Sequence, residues 1–182
     1  MNKIMTMLLG LAAAVFMLYF PYFWVRASGQ SEKDFGLLKP DDKYKSFIAV
    51  CAALAVTLTP LTIISYLWPD DLGGPGPYHR EFWNALDLLG GGIAAAIIEE
   101  TFFRGWLQTL IVRKAGVIWG ILITSLLFGA SHLIVMTGWL RFATFGPGII
   151  MGILRHYTGS IYPAMIYHAL CNIWAVWYAP VL

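Results

Sequence analysis

Charged side chains are scarce in this 182-residue chain, at 12% of the residues, whereas soluble globular proteins contain about 25%. Hydrophobic residues make up 59% instead. This composition excludes an ordinary soluble domain and predicts an integral membrane protein, which we interpret as a single domain over residues 1–182. The 12 basic and 10 acidic residues nearly cancel, and no run of Lys and Arg is present, so nucleic acid is not expected as a partner.

Cysteine is equally rare, since Cys51 and Cys171 are the only two in the sequence and both lie in apolar stretches. A thiol in such surroundings behaves as a small hydrophobic group. Neither a disulfide framework nor a cysteine metal site is therefore expected. The sequence also lacks an internal repeat, which weakens the hypothesis of a transporter built from inverted repeats.

Long apolar runs take the place of the missing charge. Only helices and closed barrels satisfy every backbone group in lipid, and these runs are continuous rather than alternating. The sequence therefore predicts an all-α, polytopic transmembrane helical bundle with about six hydrophobic segments. The fifth contains Gly146, Pro147 and Gly148, which predicts a short or broken helix. The segments are residues 4–25, 46–68, 82–112, 116–136, about 141–154, and 160–179.

Basic residues are distributed unevenly between the connections. Eight fall on one side of the predicted bundle and three on the other, so the positive-inside rule places the first group in the cytoplasm and both termini outside it. The connection over residues 26–45 is then a cytoplasmic, solvated linker, and residues 69–78 are a surface loop. The two groups are Arg26, Lys33, Lys39, Lys43, Lys45, Arg113, Lys114 and Arg155, against Lys3, Arg80 and Arg141.

Ionisable side chains interrupt the third apolar segment. Each such group at mid-membrane costs roughly 2.5 to 3.5 kcal/mol on insertion scales, so each needs a partner or a function. Glu99 and Glu100 are adjacent, and Arg104 follows Glu100 by one helical turn. The spacing predicts an ion pair between Glu100 and Arg104 that leaves Glu99 free.

Two further segments carry imidazoles. Phe128 and His132 share one helix face in the fourth segment, and His168 and Asn172 share one face in the last. A single intramembrane histidine is typical of helix packing, but carboxylates, imidazoles and an amide together supply a base, a proton relay and oxyanion donors. Because no G-x-S-x-G elbow is present, water is the expected nucleophile of a hydrolytic site.

With these residues the chain resembles the CAAX prenyl protease and bacteriocin-processing family, the glutamate-type intramembrane endopeptidases. The resemblance covers roughly residues 93–177, interpreted as the catalytic helical core, and leaves residues 1–89 as a variable N-terminal half. The three family motifs, EExxxR, FxxxH and HxxxN, are formed by Glu99, Glu100, Arg104, Phe128, His132, His168 and Asn172.

The resemblance implies that Glu99 together with His132 activates the attacking water, and that His168 and Asn172 stabilise the oxyanion. It implies no cofactor and no metal. The substrate would be a membrane-associated peptide or protein, cut near its C-terminal or membrane-proximal part. The short chain favours a multi-pass protein of a prokaryotic cytoplasmic membrane that acts on an unprenylated peptide.

Supporting roles follow for the remaining motif residues. Arg104 would hold Glu100 and keep the helix register that aims Glu99 at the cavity, while Phe128 would pack under His132.

Three alternatives remain open. Glu99, Glu100, His132 and His168 are also the ligand types of a zinc protease, although H-E-x-x-H is absent. A non-catalytic membrane scaffold or immunity protein would use the same polar cluster for assembly. A haem or quinone carrier would use the two histidines but would give the paired glutamates no purpose.

Overall fold

The computed structural model describes residues 3–67, 82–135 and 139–178, and these residues form helices and short connections without a strand. The all-α prediction with six helical segments is confirmed, since the third, fourth and fifth elements below are one continuous run. The predicted loop over residues 69–78 and Arg80 lie outside the described residues. The elements are α1 Lys3–Ala27, α2 Lys43–Leu67, α3 Phe82–Glu100, a π-helix Thr101–Leu107, α4 Gln108–Ala115, α5 Val117–Val135, a 3₁₀-helix Trp139–Thr144, α6 Phe145–Thr158 and α7 Tyr162–Tyr178.

The fifth segment is short, as predicted, but it is not broken at its glycines. Helix α6 has 14 residues and is therefore about 21 Å long, less than the hydrocarbon thickness of a bilayer, about 30 Å. Pro147 is its third residue, where the missing N–H would have had no partner within the helix. The Gly-Pro-Gly sequence thus begins the helix instead of interrupting it.

Within residues 3–67, 82–135 and 139–178, two helices are long and apolar enough to cross a membrane. They are Ile4–Ala27, with a mean hydropathy of 2.0, and Lys43–Ile64, with 2.3, and in each only 6% of the apolar window is buried inside the protein. The core helix of a soluble protein buries most of such a surface, so these faces are suited to lipid. Helix α1 also packs on the π-helix, where the Phe20 ring lies 5.1 Å from that of Trp106.

The centre of the bundle lies between the π-helix, α5, α6 and α7. Helix α7 packs against α3, α2 and α6, while α5 packs against α4 and α6. The buried core at this centre includes Phe103, Phe128, Met151, Leu154 and Tyr167. The packing surrounds both EExxxR and HxxxN with apolar side chains.

The connection between α1 and α2 differs from its prediction. Residues 35–37, here the docked segment, are buried: Phe35 and Leu37 pack with Val25 and Ile161, and the Ile161 N–H donates to the Gly36 carbonyl at 2.9 Å. The prediction of a solvated linker is therefore wrong for these three residues. The prediction rested on the net charge of the connection, which is close to zero and does not indicate that Phe35 and Leu37 are buried.

The same connection contacts two basic residues from other connections of the predicted cytoplasmic group. Arg113 stacks on the Phe35 ring at 4.6 Å and contacts Gln30, and Arg155 donates to the Asp34 carbonyl at 3.2 Å. Three connections that the positive-inside rule groups together thus meet at one end of the bundle. Which side of the membrane this end faces stays a prediction.

Candidate active site

The acidic pair lies at the junction between α3 and the π-helix. Glu100 is the last residue of α3, and Arg104 lies in the π-helix that follows. The Arg104 Nη1 donates to Glu100 Oε1 at 2.9 Å, and both side chains are 0% exposed. The ion pair predicted from the spacing is present and fully buried.

Arg104 also connects this junction to two other helices. Its Nη2 donates to the Gly148 carbonyl of α6 at 3.1 Å, and its guanidinium carbon lies 4.2 Å from the centre of the Phe128 ring of α5. A charge buried among apolar helices is stabilised only when such partners surround it. The residue therefore fixes three elements around Glu100.

Glu100 has a second partner that sequence reasoning missed. His168 Nδ1 donates to the same Glu100 Oε1 at 2.9 Å, so one oxygen accepts from both Arg104 and His168. Because Nδ1 carries the donated proton, Nε2 of the neutral ring is an acceptor. Glu100 thus orients the imidazole, whereas its spacing in the sequence indicated only the arginine.

Glu99 occupies a different environment from its neighbour. Its side chain is 24% exposed, and its Oε2 lies 3.9 Å from His168 Nε2 without a hydrogen-bond partner among the described residues. Adjacent helix positions point about 100° apart, which separates the two carboxylates as the sequence predicts. The site therefore has one buried carboxylate that is held by Arg104 and His168 through Oε1, and one partly exposed carboxylate that is not hydrogen-bonded to the described residues.

His132 is held by its own helix. Its Nδ1 donates to the Phe128 carbonyl at 3.0 Å, which leaves Nε2 as an acceptor. The Phe128 ring lies 4.6 Å from His132 and 5.6 Å from His168, so it contacts both imidazoles. Within the described part of the chain, no hydrogen bond or ion pair joins His132 to Glu99, and their joint role stays a prediction.

Asn172 lies on the same face of α7 as His168, and both side chains contact α3. The Asn172 Nδ2 donates to the Gly92 carbonyl at 2.9 Å. A side chain at Gly92 would approach the Asn172 Cβ to 3.1 Å, so glycine permits the close approach of the two helices. The amide has a second N–H, which this bond does not use.

A cavity of about 300 Å³ opens beside these groups between α2, α5, α6 and α7. Its lining is mostly apolar, and its polar side chains include His132, His168 and Asn172. Glu99 and Glu100 do not line it, so His168 is the residue that connects the cavity to the carboxylates. The sequence motifs thus converge on one site from three helices.

A zinc site would need three protein ligands, so the zinc alternative stays a hypothesis about side chains that would have to come together. No group of three or more His, Cys, Asp or Glu side chains among the described residues is arranged to hold a metal ion. Both imidazoles use Nδ1 in hydrogen bonds to protein oxygens, which orients the rings and leaves Nε2 of each available as an acceptor.

Comparison with known proteins gives one match. The family model described as Type II CAAX prenyl endopeptidase Rce1-like matches residues 81–174, which is just over half of the 182 residues. All seven motif residues fall inside this match, which overlaps the predicted core over residues 93–177. No match to a curated protein or to a solved structure reaches significance. The division of the chain near residue 90 stays a prediction.

Proposed function

Since the chain belongs to the Rce1-like family of type II CAAX prenyl endopeptidases, a family of membrane-embedded proteases, we propose that it hydrolyses a peptide bond with water activated by Glu99. This is the glutamate-type mechanism, in which no metal takes part. The observation that carries it is the contrast between the carboxylates: Glu100 is fully buried and accepts from Arg104 and His168, whereas Glu99 is 24% exposed and forms no hydrogen bond with the described residues.

The attacking water would lie between Glu99 and His168. One water molecule can contact both Glu99 Oε2 and His168 Nε2, because these atoms are 3.9 Å apart. Glu99 takes a proton from the water while the oxygen of the water bonds to the substrate carbonyl carbon. The proton then passes to the leaving amine, and His132 Nε2, which is an acceptor, serves as a relay at the cavity wall.

Two groups are available to stabilise the oxyanion. The second N–H of Asn172 can donate whether the His168 ring is neutral or protonated. His168 already donates through Nδ1 to Glu100, so its Nε2 donates to an oxyanion only when the ring carries both protons. Asn172 is therefore the donor that is available to the oxyanion throughout the reaction.

Glu99→Gln tests the base directly. We expect kcat for a membrane-reconstituted peptide library to fall by roughly 10²- to 10⁴-fold, as for other general bases, with an unchanged unfolding temperature. Glu32→Gln is the matched control, because Glu32 lies in the α1–α2 connection and pairs with Arg26 at the end of α1, away from the cavity. Retention of kcat in Glu99→Gln would contradict the mechanism.

Chelation separates the remaining alternatives in the same assay. Cleavage that survives a strong chelator supports activation by the carboxylate, whereas loss that zinc restores supports the zinc protease. Absence of cleavage by the wild type across the library would favour the scaffold or immunity hypothesis.

The cavity also supports a proposal about the substrate. Leu58 and Leu61 of α2, Met151 of α6 and Trp174 of α7 line it, which suits an apolar side chain next to the cleaved bond. We propose an unprenylated, membrane-associated peptide in a prokaryotic cytoplasmic membrane. Comparing one peptide with and without a prenyl group tests this, since a strong preference for the prenylated form would refute it.

A further inference from the structure

Buried polar side chains extend from the catalytic carboxylates through the bundle, away from the substrate cavity. Glu100, Arg104 and Gln108 follow one another at four-residue intervals. Arg104 donates to the Gly148 carbonyl and Gln108 Nε2 to the Gly152 carbonyl, at 3.1 and 3.0 Å, so they meet successive turns of α6. These side chains define a continuous polar strip along the α6 interface.

The π-helix explains why the strip stays continuous. An α-helix turns about 100° per residue, so positions eight residues apart differ by about 80°. A π-helix forms i→i+5 hydrogen bonds and holds more residues per turn, so its four-residue steps fall short of a full turn. Passage through Thr101–Leu107 therefore returns Gln108 towards the direction of Glu100.

Each residue of this strip has a buried polar atom without a partner in the described structure. These atoms are Glu100 Oε2, Arg104 Nε and Gln108 Oε1, and the three side chains belong to residues at most 3% exposed. Thr124 Oγ1 of α5 is a fourth such atom, and its residue lies one turn from Ile121, which borders Gly152.

Arg155 ends the strip at the docked segment. Its Nη2 donates to Thr109 Oγ1 at 3.3 Å and to the Asp34 carbonyl at 3.2 Å, while its Nε is buried without a partner. Lys33 and Asp34 are charged and exposed, so this end borders the aqueous phase. We call Glu100, Arg104, Gln108, Thr124 and Arg155 the polar column.

We propose that the polar column binds a row of water molecules that joins Glu100, the neighbour of the proposed base Glu99, to the aqueous phase at Arg155. Buried polar atoms in native proteins are almost always hydrogen-bonded, and a buried water makes about three such bonds. Along the column, unpartnered acceptors of Glu100 and Gln108 alternate with unpartnered N–H donors of Arg104 and Arg155. Water molecules between them donate to the first kind and accept from the second.

The column is separate from the cavity, because none of its five residues lines the cavity. Each peptide bond hydrolysed consumes one water, whose oxygen joins the carbonyl carbon and whose protons end on the two products. A substrate that fills the cavity blocks the approach of water through the cavity but leaves the column open. The role in water supply rests on the proposed function, whereas the presence of bound water does not.

Thermal unfolding of Thr124→Val in detergent tests the water without reference to activity. If the Thr124 hydroxyl binds water, its loss lowers the unfolding temperature by about 2–4 °C. If the hydroxyl is dry, its removal relieves a desolvated group and the temperature rises. Thr101→Val is the matched control, because Thr101 is equally buried and its hydroxyl donates to the Ile97 carbonyl.

An unchanged or raised temperature for Thr124→Val would overturn the proposal. So would an experimental map that resolves ordered water elsewhere in the protein but shows none between Glu100 and Arg155.

Gln108→Met tests the supply of water to the reaction. It removes both polar atoms at nearly constant length, and we expect kcat to fall roughly tenfold with an unchanged KM. A purely structural role would change the unfolding temperature without this split, and an unchanged kcat would refute the supply. If Glu99→Gln stays active while Thr124→Val is destabilised, the catalytic proposal fails and the water site stands.

Discussion

The buried ion pair between Glu100 and Arg104 makes a quantitative prediction about stability. We expect Arg104→Met to destabilise the protein strongly, because methionine keeps much of the side-chain length but removes every donor. The carboxylate of Glu100 would then remain in an apolar interior with His168 as its remaining hydrogen-bond partner. The Gly148 carbonyl would also lose its donor.

The magnitude follows from distance and burial. Two unit charges 2.9 Å apart attract each other by about 6 kcal/mol at an effective dielectric constant of about 20. The desolvation of both ions offsets much of this energy in the native state, but removal of one partner leaves the other uncompensated. Since His168 still pairs with Glu100, we expect a loss near the lower end of the usual range, about 3 kcal/mol.

Unfolding in mixed detergent and SDS micelles, followed by tryptophan fluorescence, measures this loss. Arg26→Met is the matched control, because Arg26 pairs with Glu32 at 2.8 Å but is 75% exposed, and we expect it to cost less than about 1 kcal/mol. The double variant Glu100→Met, Arg104→Met should cost less than the two single changes together. Equal losses in Arg104→Met and Arg26→Met would refute the reasoning.

Three further predictions concern the rest of the bundle. Gly36→Ala should destabilise by roughly 1–2 kcal/mol, because φ is +63° and the new methyl would meet the Arg155 guanidinium; the same micelle titration measures it. Tyr167→Phe should cost about 0.5–1.5 kcal/mol by losing the 3.1 Å bond to Thr57, and a Thr57→Val background should abolish the difference. Leu61→Trp should raise KM by narrowing the cavity while kcat changes little, and an unchanged KM would place the substrate elsewhere.

The helices and the principal ion pair could be predicted from the sequence because both depend on local rules. Long apolar runs mark the segments, and the four-residue spacing of Glu100 and Arg104 defines a contact within one helix. The docked segment could not be predicted in this way. Its burial depends on a pocket that Val25 and Ile161 supply from distant parts of the chain.

The candidate site was predictable as a set of residues but not as a set of contacts. The motifs name His168 and Glu100 without showing that they are bonded, since 68 positions separate them. No residue in TFFRGWL indicates a π-helix either. We attribute the π-helix to the packing of its buried side chains against α1, α5 and α6. Composition and spacing therefore predict which residues belong to the site, but not the contacts that depend on packing between distant parts of the chain.

The π-helix has a further consequence for changes in chain length. Over the same length, a π-turn holds one residue more than an α-turn, so deletion of one residue from Thr101–Leu107 would allow an uninterrupted α-helix from Phe82 to Ala115. Both flanking helices would then keep their places, so Glu99 and Glu100 would keep their direction relative to α4, while the side chains within the turn would be distributed over different faces. The turn can thus lose one residue without moving the carboxylates, whereas a deletion of the same size within an α-helix would rotate one end by about 100° relative to the other.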